Sequence, residues 1–285
     1  MIQLPANWND YALLDAGGGE KLERWGNIVT IRPDPQAIWP RVNQSAWDAP
    51  HMYYHRSKAG GGYWENHASV PQTWDISYEN LRFKIKPTGF KHMGLFPEQA
   101  VNWRWMADKI SSATRPVKIL NLFAYTGAAT VACLAAGASV THIDAAKGMN
   151  AQAKENIGLS GLLDTPHRIL ADDVMKFVQR EGRRGSKYDG IIMDPPVYGR
   201  GPKGEMWKLE ERLHELVVAA AAILTKDPLF FLINAYTAGL SPAVYGNILQ
   251  LAMHKYGGHT TAGEVGLKAK TGIILPCGMF ARWEA

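Results

Sequence analysis

The sequence predicts an α/β protein with a seven-stranded, mostly parallel sheet that ends in an antiparallel C-terminal strand, preceded by a small β-rich domain. Three observations carry this expectation. From about residue 97, short apolar runs alternate with amphipathic stretches long enough for helices, the pattern of βαβ units beneath a sheet covered on both faces. The last two strand-like runs are joined only by Lys268-Ala-Lys-Thr271, too short for a parallel crossover. Eight of the ten tryptophans lie in the first 105 residues, so the composition shifts along the chain and implies two regions.

In the first region, residues 1–93, strands are expected at 11–14, 21–25, 28–31, 53–55, 73–77 and 81–85. Gly26-Asn27 between two alternating runs is a hairpin signal, and Ala59-Gly60-Gly61-Gly62 reads as a loop. The tryptophans can stack bases or fill a core; large aromatics staple a small β domain, and the core reading is preferred. In the second region, residues 94–285, a helix at 97–110 has Pro97 in its first turn with Glu98 close behind. Strands follow at 117–123, 139–143, 167–170, 188–193, 229–233, 260–267 and 272–281. Helices are expected between them at 127–136, 147–160, 174–180, 206–224 and 242–256.

Composition narrows the function class. With 46% hydrophobic and 20% charged residues among 285, and no apolar run near the ~18 residues that cross a bilayer, disorder, collagen and membrane spanning are disfavoured. The N-terminus MIQLPANWNDYALL lacks an export leader. Cys133 and Cys277 are too few for a disulfide framework and have no nearby metal-type partners, so a cytoplasmic location and no metal are expected. The net charge of +5 permits a polyanionic partner such as RNA without requiring one.

Ligands of open parallel sheets sit beyond the carboxyl ends of the strands. The first such loop is Asn121-Leu-Phe-Ala-Tyr-Thr-Gly127, where Thr126 and Gly127 turn backbone amides toward a ligand. A dinucleotide pyrophosphate calls for G-x-G-x-x-G, and this loop has one glycine, which points to a nucleoside without pyrophosphate. Asp144 ends the second strand, where a carboxylate accepts from ribose hydroxyls; capping a helix is its other reading. Of Asp172-Asp173 after the third strand, Asp173 suits the cap of the following helix and Asp172 an adenine amine. The fourth strand ends in Asp194-Pro195-Pro196-Val-Tyr198-Gly199. Paired prolines stiffen that loop where substrate meets cofactor, and a carboxylate with exposed carbonyls can hold an amino group and aim its lone pair. Tyr198 can stack on a flat substrate.

Taken together, NLFAYTG (121–127), HIDAAKGMNAQAKENIGLSGL (142–162), ADDVMKFVQR (171–180) and YDGIIMDPPVYG (188–199) resemble the class I S-adenosylmethionine-dependent methyltransferases of the bacterial 23S rRNA type. The resemblance runs from about Gly94 to the C-terminus and implies a Rossmann-like sheet. It implies that Phe123, Tyr125, Thr126 and Gly127 line the methionine and ribose pocket, that Asp144 holds the ribose, that Ala145 and Lys147 border the adenine, and that Asp172 meets the adenine amine. Asp194 and Pro195 would face both methyl donor and acceptor. GLFPEQAVNWRW (94–105) resembles the family's segment before the first strand, which implies cofactor contacts for Phe96 and Gln99; the family's following arginine is Ala100 here.

Three departures refine the expected chemistry. Neither cysteine lies near the fourth or fifth strand, where carbon-methylating enzymes keep their nucleophile, so a nitrogen acceptor is favoured. Val197 stands between the second proline and Tyr198, where amino-directed enzymes place the aromatic directly. No match to a known RNA-binding module is evident before residue 94. The segment 199–207 is basic and aromatic, which makes Arg200 and Lys203 phosphate-contact candidates or parts of a solvated loop. The expected activity is methyl transfer from S-adenosylmethionine to a nucleic-acid base, ribosomal RNA foremost. Methylation of a protein or small molecule, and non-enzymatic RNA binding through a degenerate pocket, stand as alternatives.

Overall fold

The computed structural model describes residues 2–58, 60–200, 206–236 and 239–285. They form two compact units: residues 2–101 with 266–277, and residues 102–265 with 278–285.

The first unit contains β1 (Ile2–Gln3), β2 (Tyr11–Gly17), β3 (Glu20–Trp25), β4 (Ile28–Pro33), β5 (Met52–Arg56), β6 (Gly62–Asn66), β7 (Trp74–Tyr78) and β8 (Leu81–Ile85). Strands β2 to β6 make one sheet in chain order, antiparallel except for β4 with β5, and β7–β8 is a separate antiparallel pair. The β3–β4 hairpin turns at Gly26 with φ of 63°, a left-handed conformation that the Gly-Asn signal anticipates. β6 was not anticipated; it begins at Gly62, within the run expected to be loop. Trp25 and Trp47 are buried, while the indoles of Trp8, Trp39, Trp64 and Trp74 donate to the carbonyls of Pro97, Ala16, Thr88 and Trp25. These side chains fasten the unit from within. Buried Asp15 accepts from the amides of Ala16, Val42 and Asn43, the Trp47 indole and the Thr271 hydroxyl, so its carboxylate is fully satisfied.

From residue 100 the chain forms α1 (Ala100–Ser111), β9 (Lys118–Leu122), α2 (Ala128–Ala135), β10 (Ser139–Asp144), α3 (Lys147–Leu159), β11 (His167–Ala171), α4 (Val174–Arg183) and β12 (Gly190–Met193). It continues with β13 (Tyr198–Arg200), β14 (Met206–Lys208), α5 (Leu209–Ala221), β15 (Phe230–Ala235), α6 (Pro242–Met253), β16 (His259–Lys268) and β17 (Ile274–Glu284). The large sheet has the order β16-β17-β15-β12-β9-β10-β11, with β1 beside β16 as an eighth strand. β15, β12, β9, β10 and β11 are parallel neighbours, and β17 runs antiparallel to β15.

Alternation along the strands divides the sheet's two faces. Leu120, Leu122, Ile191, Met193, Phe231 and Ile233 join one buried cluster with residues of α4, α5 and α6. On the other face, Trp105 of α1 meets Phe230 with ring centroids 5.2 Å apart, and Asn102 donates to Asn234 at 2.8 Å. Two boundaries differ from expectation. Residues 97–99 form a 3-10 turn before α1, and the helix expected from residue 206 starts at Leu209, because Met206–Lys208 pairs with β13 instead.

Candidate cofactor and acceptor site

Strand order reverses between β9, which leads to β10 and β11, and β12, which leads to β15. In an open α/β sheet the crevice lies at such a switch point, beyond the carboxyl ends of the strands. The register opposes Met193 to Leu122 and Ile143 to Leu122, so Phe123, Asp144 and Asp194 leave three neighbouring strands at one level. Asp144 in turn lies opposite Ala171, which brings Asp172 to the same edge.

The loop after β9 is shaped by backbone conformation. Phe123, Tyr125 and Gly127 have φ of 54°, 51° and 81°, and left-handed non-glycine residues persist only where surroundings enforce them. Here the enforcement is explicit. The Tyr125 amide donates to Asp144 Oδ2 at 2.9 Å, the Ala124 amide to the Ile143 carbonyl at 3.1 Å, and Asn156 Nδ2 to the Thr126 carbonyl at 2.8 Å. Asp144 Oδ1 accepts from the Ala146 amide at 2.8 Å, so one carboxylate joins the loops that follow β9 and β10. Burial raises the Asp144 pKa above its ordinary value, against the two amide bonds that lower it.

Beneath the loop, Thr130 Oγ1 accepts from Asn121 Nδ2 at 3.0 Å and lies 3.0 Å from His142 Nδ1. Asn121, expected at the cofactor, is 2% exposed and turns its amide into this support. Burial pushes the His142 pKa down to about 4, so the imidazole there is neutral. Gly127 is forced on two counts. Its φ is left-handed, and a Cβ on it would stand 2.8 Å from Ala153 Cβ in α3. Gly127→Ala is therefore expected to cost about 1–3 kcal/mol of stability and to weaken cofactor affinity, measured by urea unfolding and calorimetry.

The remaining residues divide plainly. Asp173 caps α4, accepting from the Lys176 amide at 2.8 Å, as the sequence predicts. Asp172 pairs with Arg180 and accepts from the Asp173 amide at 2.9 Å, so a ligand there shares the carboxylate with a guanidinium. Ala145 is half-buried and Lys147 opens α3 in an exposed position. Pro195 is buried and Pro196 exposed, and the Pro196 carbonyl accepts from the Trp207 indole at 2.6 Å. Tyr198 is half exposed, with its hydroxyl 3.2 Å from Met206 Sδ. Phe96 precedes the 3-10 turn and its ring lies 5.7 Å from His92, and Gln99 is buried; both belong to the first unit. Arg200 ends β13 with its side chain outside the described residues, as is the whole of Lys203.

Sequence reasoning missed Trp207, whose ring lies 5.1 Å from Phe123 and whose indole bonds the Pro196 carbonyl, so it ties the loop after β12 to the loop after β9. It also missed Arg180, Thr130, His142 and Asn156. Only the loop's lack of glycines hinted that supports of this kind were required.

A parallel sheet with this order, a single-glycine loop after its first strand and a carboxylate ending its second define a nucleoside-binding α/β enzyme. Residues 43–237 match the family model for S-adenosylmethionine-dependent methyltransferases, and the chain belongs to that family. The match begins well upstream of Gly94, where the resemblance in the sequence began, and so takes in part of the β-rich region. A SAM-dependent methyltransferase from Agrobacterium tumefaciens is 37% identical with TM-score 0.95, covering 100% of this chain and 93% of that one. A methyltransferase structure complexed with SAH shares the fold at 17% identity and TM-score 0.73, covering 98% of this chain and 76% of that one. Among curated relatives, ribosomal RNA large subunit methyltransferase K/L of Shewanella frigidimarina is 31% identical over 148 residues, 51% of this chain and 20% of that protein. Ribosomal RNA large subunit methyltransferase K of Neisseria meningitidis is 26% identical over 56% of this chain and 44% of that protein. The chain thus spans less than half the length of these curated relatives.

The chemistry of the site fits S-adenosylmethionine. Each Asp144 oxygen carries one amide bond, which leaves lone pairs for a diol, and a single glycine suffices where no pyrophosphate must approach. No helix among the described residues is long and apolar enough to cross a membrane.

Proposed function

We propose that this methyltransferase acts on a base of ribosomal RNA, at a nitrogen. The observation that carries the reading is the Asp194-Pro195-Pro196-Val197-Tyr198 loop, which leaves β12 level with Phe123 of the cofactor loop and is braced there by Trp207. The rRNA names of the relatives support the choice of substrate.

Asp144 would hold the ribose hydroxyls and Asp172 the adenine amine, with Ala145 and Lys147 at the border of the adenine. Phe123, Tyr125, Thr126 and Gly127 would line the ribose and methionine portion. When bound, S-adenosylmethionine supplies an electrophilic methyl on a sulfonium. The chain's own work is positioning. Asp194 Oδ and the Pro195 carbonyl accept hydrogens from the acceptor nitrogen and aim its lone pair, the rigid Pro195-Pro196 pair fixes that direction, and Tyr198 stacks on the base. Arg200 and Lys203 would meet phosphate. The test is mass spectrometry of nucleosides from ribosomal RNA of cells with and without the protein. Loss of one methylated base on deletion is the expected result, and an unchanged nucleoside profile would overturn the substrate assignment.

A further inference from the structure

We infer that one face of the β5–β6 hairpin is a stacking platform for unpaired RNA bases, separate from the loops described above. This rests on the reading of RNA as substrate. β6 is the edge strand of its sheet, and the register sets His55 opposite Tyr63 and Tyr53 opposite Glu65. Alternation puts these four residues on one face and Tyr54 and Trp64 on the other, where their rings pack 5.2 Å apart and Trp64 donates to the Thr88 carbonyl.

The inner face thus holds the hairpin, while the outer face carries a ladder. Tyr53 and His55 lie 4.6 Å apart, and His55 and Tyr63 are stacked at 5.0 Å and 24°. The ladder is held at its lower rungs: the Tyr53 hydroxyl bonds Glu20, and His55 Nε2 lies 2.6 Å from Glu65 Oε2. The last ring, Tyr63, is 63% exposed. Exposed Lys58 stands in the turn of the hairpin, Arg56 falls on the face of Tyr54 and Trp64, and the 70% exposed Phe90 lies beside Gly61 at the same end.

Cross-strand aromatic pairs alone would stabilise the sheet, but a sheet-stabilising pair gains most from being covered. A fixed ring ladder with an open outer ring and the Lys58 cation in the adjoining turn complements a flat base followed by a phosphate. Such stacking tolerates any base, because each has a π-face. The tryptophans of this unit are engaged in its interior, so the ladder, and not they, is what the β-rich unit presents to RNA.

The experiment is fluorescence anisotropy of the full-length protein with a labelled single-stranded oligoadenylate at fixed salt. Tyr63→Ala is expected to weaken binding roughly tenfold and Tyr63→Phe, which keeps the ring, to bind as the wild type does. Lys58→Glu is expected to flatten the dependence on salt. Calorimetry with S-adenosylhomocysteine, unchanged in each variant, verifies the fold. Equal affinity of wild type and Tyr63→Ala, or no binding by the wild type, would overturn the platform. A platform that fails in this way leaves the rRNA assignment to stand or fall on the nucleoside profile, which is measured separately.

Discussion

Alanine at Asp194 is expected to slow turnover by about 10²-fold while leaving cofactor affinity close to that of the wild type, and alanine at Asp144 to act first on affinity. The two carboxylates leave strands on either side of β9 but meet different demands. Asp144 is tied by amides of the loops after β9 and β10, at 2.9 and 2.8 Å, so its removal leaves two donors unpaired and takes away the proposed ribose acceptor. Losing one hydrogen bond to a charged group alone corresponds to about tenfold in affinity, and the relaxed loop adds to it. Asp194 sits on the β12 side, in the loop proposed to aim the acceptor, and a misplaced acceptor costs about 10²-fold in rate. Calorimetry with S-adenosylhomocysteine separates binding from turnover, and the opposite pattern would exchange the two assignments. Burial keeps the Asp144 pKa raised, so cofactor affinity should be complete above that raised value and fall as pH drops through it, at higher pH than for an exposed aspartate.

The parts of this site that were legible in the sequence are those imposed by backbone chemistry. Gly127 announces a left-handed position that no other residue fills easily, Asp144 ends an apolar run, and Asp173 stands where a helix needs a cap. The five parallel strands were legible because buried parallel strands read as apolar runs of limited length, and the last two because their short connection excludes a parallel crossover. Where reading failed, non-local pairing had overridden local preference. Met206, Trp207 and Lys208 suit a helix, but the Trp207 indole bonds the Pro196 carbonyl and the Leu209 amide bonds the Val197 carbonyl, which draws the segment into a ribbon with Tyr198–Arg200. β6 was hidden for a different reason. It is an edge strand whose Glu65 and Asn66 face solvent, and its first residue is a glycine, so it carries no apolar alternation. Phe123 and Tyr125 gave no sign of their positive φ, because the surrounding hydrogen bonds enforce it and not their own side chains.

Truncating Glu23 is expected to have the largest effect on stability of any single change in the β-rich unit. Its side chain is fully buried, accepts from the Tyr11 hydroxyl at 2.8 Å and Arg32 Nη2 at 2.9 Å, and also bonds Arg32 Nε. Lys21 Nζ stands 3.9 Å away and bridges onward to Asp34 at 3.2 Å. Glu23→Ala leaves the Arg32 guanidinium buried with the Lys91 carbonyl at 3.0 Å, the Trp25 ring at 5.4 Å and only the weaker attraction of the Glu98 carboxylate. Removing one member of such a pair costs about 3–5 kcal/mol, a large part of the ~5–15 kcal/mol that holds a domain folded. The double replacement Glu23→Leu with Arg32→Met removes both charges and should recover most of that loss, because the pair's attraction is largely offset by its desolvation. Burial opposes ionisation of Glu23, yet Arg32 and Lys21 overcome it and take the carboxyl down to about 2. A depressed carboxyl stabilises the fold above its unfolded pKa, and that contribution is lost as pH falls from the ordinary glutamate range through about 2. Urea midpoints across that window should therefore fall with acid in the wild type and fall less in the double variant. Parallel slopes would mean that the pair contributes nothing to acid stability.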